Sequence, residues 1–143
     1  MASSKKLLAL QALETLVDGV AGITTVKLTD SEENVTRFNV SRSDLPIAWI
    51  WPVTETVEYT PGVLSENSFT GFIRVLVLDW DSEMATVDVL EKGIRDAVGE
   101  DVRLGGTATV IDITTVRNRI EPYPLLGRDI GFRIRLEASI QDV

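Results

Sequence analysis

One apolar run restricts the fold of this chain more than any other feature of its sequence. The run, FTGFIRVLVLDW, covers residues 69–80. Side chains in a β-strand point alternately to opposite faces of the sheet, and here both sets are apolar. One set is Phe72, Leu76 and Leu78, and the other is Ile73, Val75 and Val77. Such a strand is buried on both faces. The sequence therefore predicts that either the rest of the chain or a neighbouring subunit covers it twice.

Two helices are predicted from apolar residues at helical spacing. The first begins after Ser3 or Ser4 as its cap and is stopped by Gly19 and Gly22. The second begins after Ser82 and ends at Gly99. Their buried stripes are Leu10, Leu13, Leu16, Val17 and Val20 in the first helix, and Val87, Leu90, Ile94 and Val98 in the second.

Strands are predicted where apolar and polar residues alternate or β-branched residues are frequent. They include a hairpin of residues 23–28 and 35–40, a second hairpin of 54–60 with 69–80, and a final antiparallel pair of 108–120 with 129–140. Prolines bracket residues 47–51, which predicts an edge strand or an irregular crossing segment, because proline cannot donate to a sheet ladder. We expect a single α+β domain over residues 1–143, with a mainly antiparallel sheet, a long β-hairpin and two helices packed on it.

The composition argues against most enzyme classes. The 143 residues include no cysteine and no histidine, which excludes thiol nucleophiles, thiolate metal sites and every triad that uses histidine. Asp79 and Asp81 could hold a divalent cation through oxygen ligands, but capping of the second helix explains them equally well. We therefore expect no catalytic, cofactor or metal site. The net charge of −8 argues against a general nucleic-acid binder, because affinity for a duplex comes largely from neutralising its phosphates, and we expect no sequence-specific nucleic-acid partner. No segment resembles a signal peptide or a membrane span, so we expect a soluble protein made in a cytoplasm, with no membrane partner.

Four arginines at a spacing of two residues form the clearest functional signal. Arg117 and Arg119 lie on one predicted strand and Arg133 and Arg135 on the next, so their side chains share one sheet face. A solvated outer face is the simplest interpretation. One alternative is a subunit interface, because arginine pairs with carboxylates in bidentate fashion. A path for nucleic acid is a weaker third interpretation, since the patch is small and the whole protein is acidic. The second helix is strongly acidic, and the acids proposed to meet these arginines on a neighbouring subunit are Asp88, Glu91 and Asp96.

Trp49 and Trp51 are two residues apart and point the same way. Tryptophans are core residues by default. The proline-bracketed position leaves a second interpretation open, in which the two indoles line a subunit interface.

The chain resembles the tail terminator (tail completion) proteins of long-tailed bacteriophages in the order and character of its elements. The resemblance rests on KKLLALQALETLV, PIAWIWPV, the long hairpin ending in GFIRVLVLDW, ATVDVLEKGIRDAV, and GFRIRLEASIQ after VRNRIEPYPLLGRD. It implies a structural virion protein that forms a ring, typically six-fold, on the head-proximal end of the tail tube. Such a ring stops tube polymerisation and provides the head-joining surface.

The resemblance also implies partners and a location. The partners are further copies of the chain, the tail tube protein and a head-side connector protein. The location is the virion tail, after assembly in the host cytoplasm. A loop of Pro61, Gly62, Val63, Leu64, Ser65, Glu66, Asn67 and Ser68 would be an arm that reaches a neighbour. The alternatives are a head–tail connector or tail tube subunit and, from another class, a small-ligand-binding or carboxylate-dependent enzyme domain.

Overall fold

The fold is α+β, as predicted, with two helices and a five-stranded, mostly antiparallel sheet. The computed structural model describes residues 4–30, 32, 42–60, 64–78, 84–119 and 125–136. Its helices are α1 (Lys5–Asp18) and α2 (Met84–Glu100), and its strands are β1 (Thr25–Leu28), β2 (Ile47–Thr60), β3 (Leu64–Leu78), β4 (Val110–Arg119) and β5 (Leu125–Arg135). Short 3-10 turns occupy Arg42–Asp44 and Leu104–Gly106. The strand order is β1-β2-β3-β5-β4, so β3 is central and β4 is an edge.

The strand β3 is covered on both faces within the chain. Ile73, Val75 and Val77 belong to a core cluster between the sheet and the two helices. Leu76 belongs to a smaller cluster on the opposite face, and Phe72 packs against it. The sequence left open whether the rest of the chain or a neighbouring subunit covers this strand. The first alternative is confirmed, because the chain itself buries both faces.

Both helices place the predicted stripes in the core. Ser4 caps α1 by accepting a hydrogen bond from the backbone N–H of Leu7 at 3.0 Å. The α2 stripe of Val87, Leu90, Ile94 and Val98 is buried. Helix α2 extends to Glu100, one residue beyond the predicted end. The proposed cap Ser82 lies outside the described residues.

The prediction for residues 47–51 was wrong. They begin the continuous strand β2, which also contains residues 54–60 and lies inside the sheet between β1, in parallel, and β3, antiparallel. The prolines do not interrupt the ladder because Pro46 precedes the strand, and its carbonyl accepts from the backbone N–H of Thr24. Pro52 lies past Ile50, the last residue paired with β1, and next to a register shift.

Two further strand boundaries differ from the prediction, and one predicted strand is not described. The hairpin of β2 and β3 is confirmed, but residues 64–68 belong to β3 and pair with β2, so most of the predicted loop is strand. Strand β5 begins at Leu125, earlier than the predicted residue 129, because the additional residues pair with the end of β3. The first predicted hairpin places its second strand at residues 35–40, which lie outside the described residues; β1 itself pairs with β2.

Candidate subunit interface

The four arginines share one face of the sheet, opposite the helices. In an antiparallel pair, residues directly opposite each other point to the same face. Arg133 lies opposite Asp112, and Arg117 opposite Asp129, with a register shift between Ile113 and Thr115 that keeps both pairs on this face. The register places Arg135 there as well, opposite Val110, and the backbone position of Arg119 lies opposite Gly127. We call this surface the arginine face, defined by the strand positions of Arg117, Arg119, Arg133 and Arg135.

Two residues of the arginine face, Arg117 and Arg133, make loose ion pairs with residues of the described part of the chain. The Arg117 guanidinium is 3.5 Å from Asp129 Oδ2, and its side chain is 61% exposed. It also lies over the Phe72 ring, with 4.9 Å between Cζ and the ring centroid. Arg133 is 3.8 Å from Asp112 Oδ2 and 46% exposed. Exposed pairs of this kind contribute little to stability, about 0–1 kcal/mol each. Arg117 and Arg133 are therefore exposed enough to contact a second partner.

A buried ion pair lies beside the arginine face, and sequence reasoning missed it. Arg74 and Asp129 are 2% and 1% exposed in the side chain, and Arg74 Nε donates to Asp129 Oδ1 at 2.8 Å. Arg74 Nη2 donates to Asp129 Oδ2 at 3.1 Å and also to Glu32. Burial opposes the charge of Arg74, but the hydrogen bonds and charges of these carboxylates outweigh it and raise the pKa of Arg74. The sequence signal for this ion pair was the arginine within the apolar run GFIRVLV, because a charged side chain buried among apolar residues needs a partner of opposite charge.

Trp49 and Trp51 lie on the same face, as predicted, and both are buried within the chain. They form a cluster with Ile47 and Leu76. The Cζ atom of Arg74 lies 4.8 Å from the centroid of the Trp51 ring, a cation–π distance. Burial at 5% and 3% agrees with their default interpretation as core residues. A role of the two indoles in a subunit interface stays a prediction.

The three acids predicted for the interface, Asp88, Glu91 and Asp96, lie on the helix side of the sheet and have partners inside the chain. Arg128 of β5 binds Asp88, and its Nη1 donates to Glu91 Oε1 at 2.8 Å. Its Nε donates to Asn118 Oδ1 of β4 at 3.0 Å. Burial disfavours the charge of Arg128, but the two carboxylates outweigh it and raise its pKa. This arginine therefore ties α2 to β4 and β5.

Arg128 was also missed at the sequence level, where it lay in a predicted loop. Asp96, the third acid of the predicted interface, pairs with Lys92 at 2.7 Å on the exposed side of α2. The sheet separates all three acids from the arginine face. A contact between them would therefore have to join two copies of the chain, and it stays untested.

The two helices enclose a groove on the outside of the molecule. Gly93 of α2 lies close to Val20, just beyond the end of α1, where an added Cβ would be 2.8 Å from Val20 Cγ1. Beyond that contact the helices open into a groove of about 780 Å³, whose lining includes Ala12, Leu16, Ala97, Asp96, Glu100 and Asp101. Over the part of the chain that is described, no group of three or more acids has a geometry suited to a metal ion. In the same residues, no helix is long and apolar enough to cross a membrane.

Comparison with known proteins identifies a related fold. No protein-family model matches the chain, and no curated protein matches it. Among solved structures, the fold is similar to that of a chain in the virion of the native gene transfer agent (GTA) particle. The TM-score is 0.54 at 18% sequence identity, over 90% of this chain and 91% of that chain. At this identity the similarity shows a shared fold.

Proposed function

We propose that the chain is a structural, non-enzymatic subunit of a phage-like virion. The observation that supports this most is the fold similarity to a chain of the gene transfer agent virion, which covers nine-tenths of both chains. A partial match could reflect one common supersecondary unit, whereas this one includes the sheet and the helices together. Fold alone does not determine function, so the proposal also relies on the surfaces that the fold presents.

Two of these surfaces suit a subunit of a larger assembly. Strand β4 is a ten-residue edge of the sheet. Long exposed edges are uncommon in isolated proteins because their backbone groups remain open to pairing with other chains. On the arginine face beside it, Arg117 and Arg133 are loosely paired with residues of the described part of the chain. Both features suit an assembly protein better than a solitary enzyme.

Within this class, we propose the tail terminator role. Copies of the chain would form a ring, six-fold by the resemblance, at the head-proximal end of the tail tube. The ring would block further addition of tube subunits and present a surface to the head-side connector. The end of the β2–β3 hairpin, with Leu64–Ser68 in strand β3, would be the arm that reaches a neighbour. The virion tail would be its final location.

The test is the particle mass in solution, with and without purified tail tubes, at two salt concentrations. A hexamer of the 15.7 kDa chain would weigh about 94 kDa. We expect rings, or subunits bound at one end of each tube, and tubes that stop growing when the protein is present. A tube subunit would instead lengthen the tubes, and a connector would bind head particles in preference to tubes. A monomer that ignores tubes at every concentration would refute the assembly role and favour a ligand-binding domain.

A further inference from the structure

We infer that the groove between α1 and α2 of one copy receives the arginine face of the next copy. This inference rests on the proposed ring and names the two surfaces that would form it. The ring alone requires only that copies associate. The inference requires that two specific, opposite sides of the subunit meet.

The groove combines apolar walls with an acidic rim. Ala12, Leu16 and Ala97 contribute to the walls, and Glu100 and Asp101 lie at the end of α2. The Asp101 carboxylate is fixed there, because its Oδ1 accepts from the backbone N–H of Gly105 at 3.0 Å.

The helix itself adds to the negative charge at this rim. Helix α2 has no basic residue in its last turn. The backbone carbonyls at the end of a helix carry partial negative charge, which a cation normally offsets. Here Glu100 stands at the last helical position instead. A cationic partner would therefore be stabilised by both the carboxylates and the helix end.

The arginine face has the complementary chemistry. Arg117 and Arg133 are about half exposed or more, and each lies 3.5 Å or more from its carboxylate partner, with Arg117 also over the Phe72 ring. An arginine side chain packs its aliphatic stem on apolar walls while its guanidinium pairs with a carboxylate at the rim. Asp88 and Glu91 fit this role less well than Glu100 and Asp101, because Arg128 already binds both within the chain.

The placement of the two surfaces determines the kind of assembly. They lie on opposite sides of the sheet, so one copy cannot bring its own arginine face to its own groove. Copies stacked face to back would make the same contact repeatedly. A head-to-tail contact of this kind closes into a ring when the rotation between copies allows it.

Cross-linking can test the contact directly, because the chain has no cysteine. One variant carries Thr15→Cys in the groove and another carries Thr115→Cys beside the arginine face, and both positions are exposed. The two are mixed with different affinity tags and treated with a short bis-thiol reagent, with and without tail tubes. We expect cross-links between the two variants and none within either variant alone. The matched control replaces Thr15→Cys with Val89→Cys, on α2 outside the groove and 67% exposed.

A charge exchange provides the second measurement. Glu100→Arg and Arg133→Glu should each raise the concentration needed for ring formation about tenfold, and the double variant should recover most of that loss. Circular dichroism would verify that each variant is folded. Normal rings without the expected cross-link or recovery would overturn this inference and leave the proposed function standing. A chain that forms no assembly with or without tubes would overturn both.

Discussion

The buried pair of Arg74 and Asp129 allows a quantitative prediction for the variant Asp129→Asn. The substitution keeps the size of the side chain but removes its negative charge. Arg74 would then keep its charge at 2% exposure, with Glu32, whose side chain is 55% exposed, as its remaining carboxylate partner. Removing one partner of a buried ion pair costs about 3–5 kcal/mol, because the other charge is left uncompensated.

We expect a loss near the lower end of that range, about 3 kcal/mol, because Glu32 still pairs with the guanidinium. For a domain somewhat under 150 residues this corresponds to a fall in Tm of roughly 10 °C. The double variant Arg74→Met with Asp129→Val removes both charges at once. It should lose less stability than Asp129→Asn alone, since a buried pair can often be replaced by apolar residues at little net cost.

The assay is urea unfolding followed by tryptophan fluorescence, because the Trp51 ring contacts Arg74 and reports on this region. The control is Arg117→Gln, which removes the exposed contact to Asp129 at 3.5 Å and should cost less than about 1 kcal/mol. The raised pKa of Arg74 means that its contribution is fully present below the ordinary arginine pKa and is lost only at strongly alkaline pH. The cost of Asp129→Asn should therefore not arise from titration of Arg74 near neutral pH. If Asp129→Asn costs no more than Arg117→Gln, or the double variant is the least stable, the reasoning is refuted.

Two further predictions concern α2. Gly93→Ala should destabilise the fold by about 1–3 kcal/mol, because its Cβ would lie 2.8 Å from Val20 Cγ1. The matched Gly99→Ala meets no atom within 4 Å and should stabilise the helix by about 0.5–1 kcal/mol, and thermal unfolding of both variants distinguishes the effects. Arg128→Met should cost about 2–4 kcal/mol in urea unfolding, because it leaves Glu91 at 8% exposure without its partner on β5. Equal stability of Arg128→Met and wild type would show that α2 is held to the sheet by apolar packing alone.

Sequence periodicity predicted the elements whose environment is local and regular. The α2 stripe and the alternation of β5, with Ile130, Phe132 and Ile134 buried, follow directly from helix and strand geometry. The parallel pairing of β1 with β2 was not predictable, because periodicity indicates a strand but not its neighbour. The prolines at both ends of residues 47–51 also suggested an edge strand. Whether a proline interrupts the sheet ladder depends on where the neighbouring strand β1 ends.

The candidate site likewise contains features that periodicity predicts and features that depend on which strands pair. Alternation placed the four arginines on one face, and the strand register confirms that placement. It did not reveal that Asp129 meets Arg74, because these residues are 55 positions apart and are brought together only by the pairing of β3 with β5. The pairing of Asp88 and Glu91 within the chain could not be predicted for the same reason. Composition suggested that these acids pair with arginines of a neighbouring subunit, whereas in the structure they pair with Arg128 of the same chain.

The open edge of β4 has a consequence for how the protein must be produced. Among the described residues, β4 has a strand neighbour on one side only, and such an edge of ten residues is a template on which an extended polypeptide, including a second copy of the chain, can add a further strand. The charged side chains of Asp112 and Arg117 oppose the addition of a parallel copy in register, because it would bring like charges close together. Raising the salt concentration during purification would weaken that protection. Aggregation should therefore increase with ionic strength unless the partner that covers this edge is supplied together with the chain.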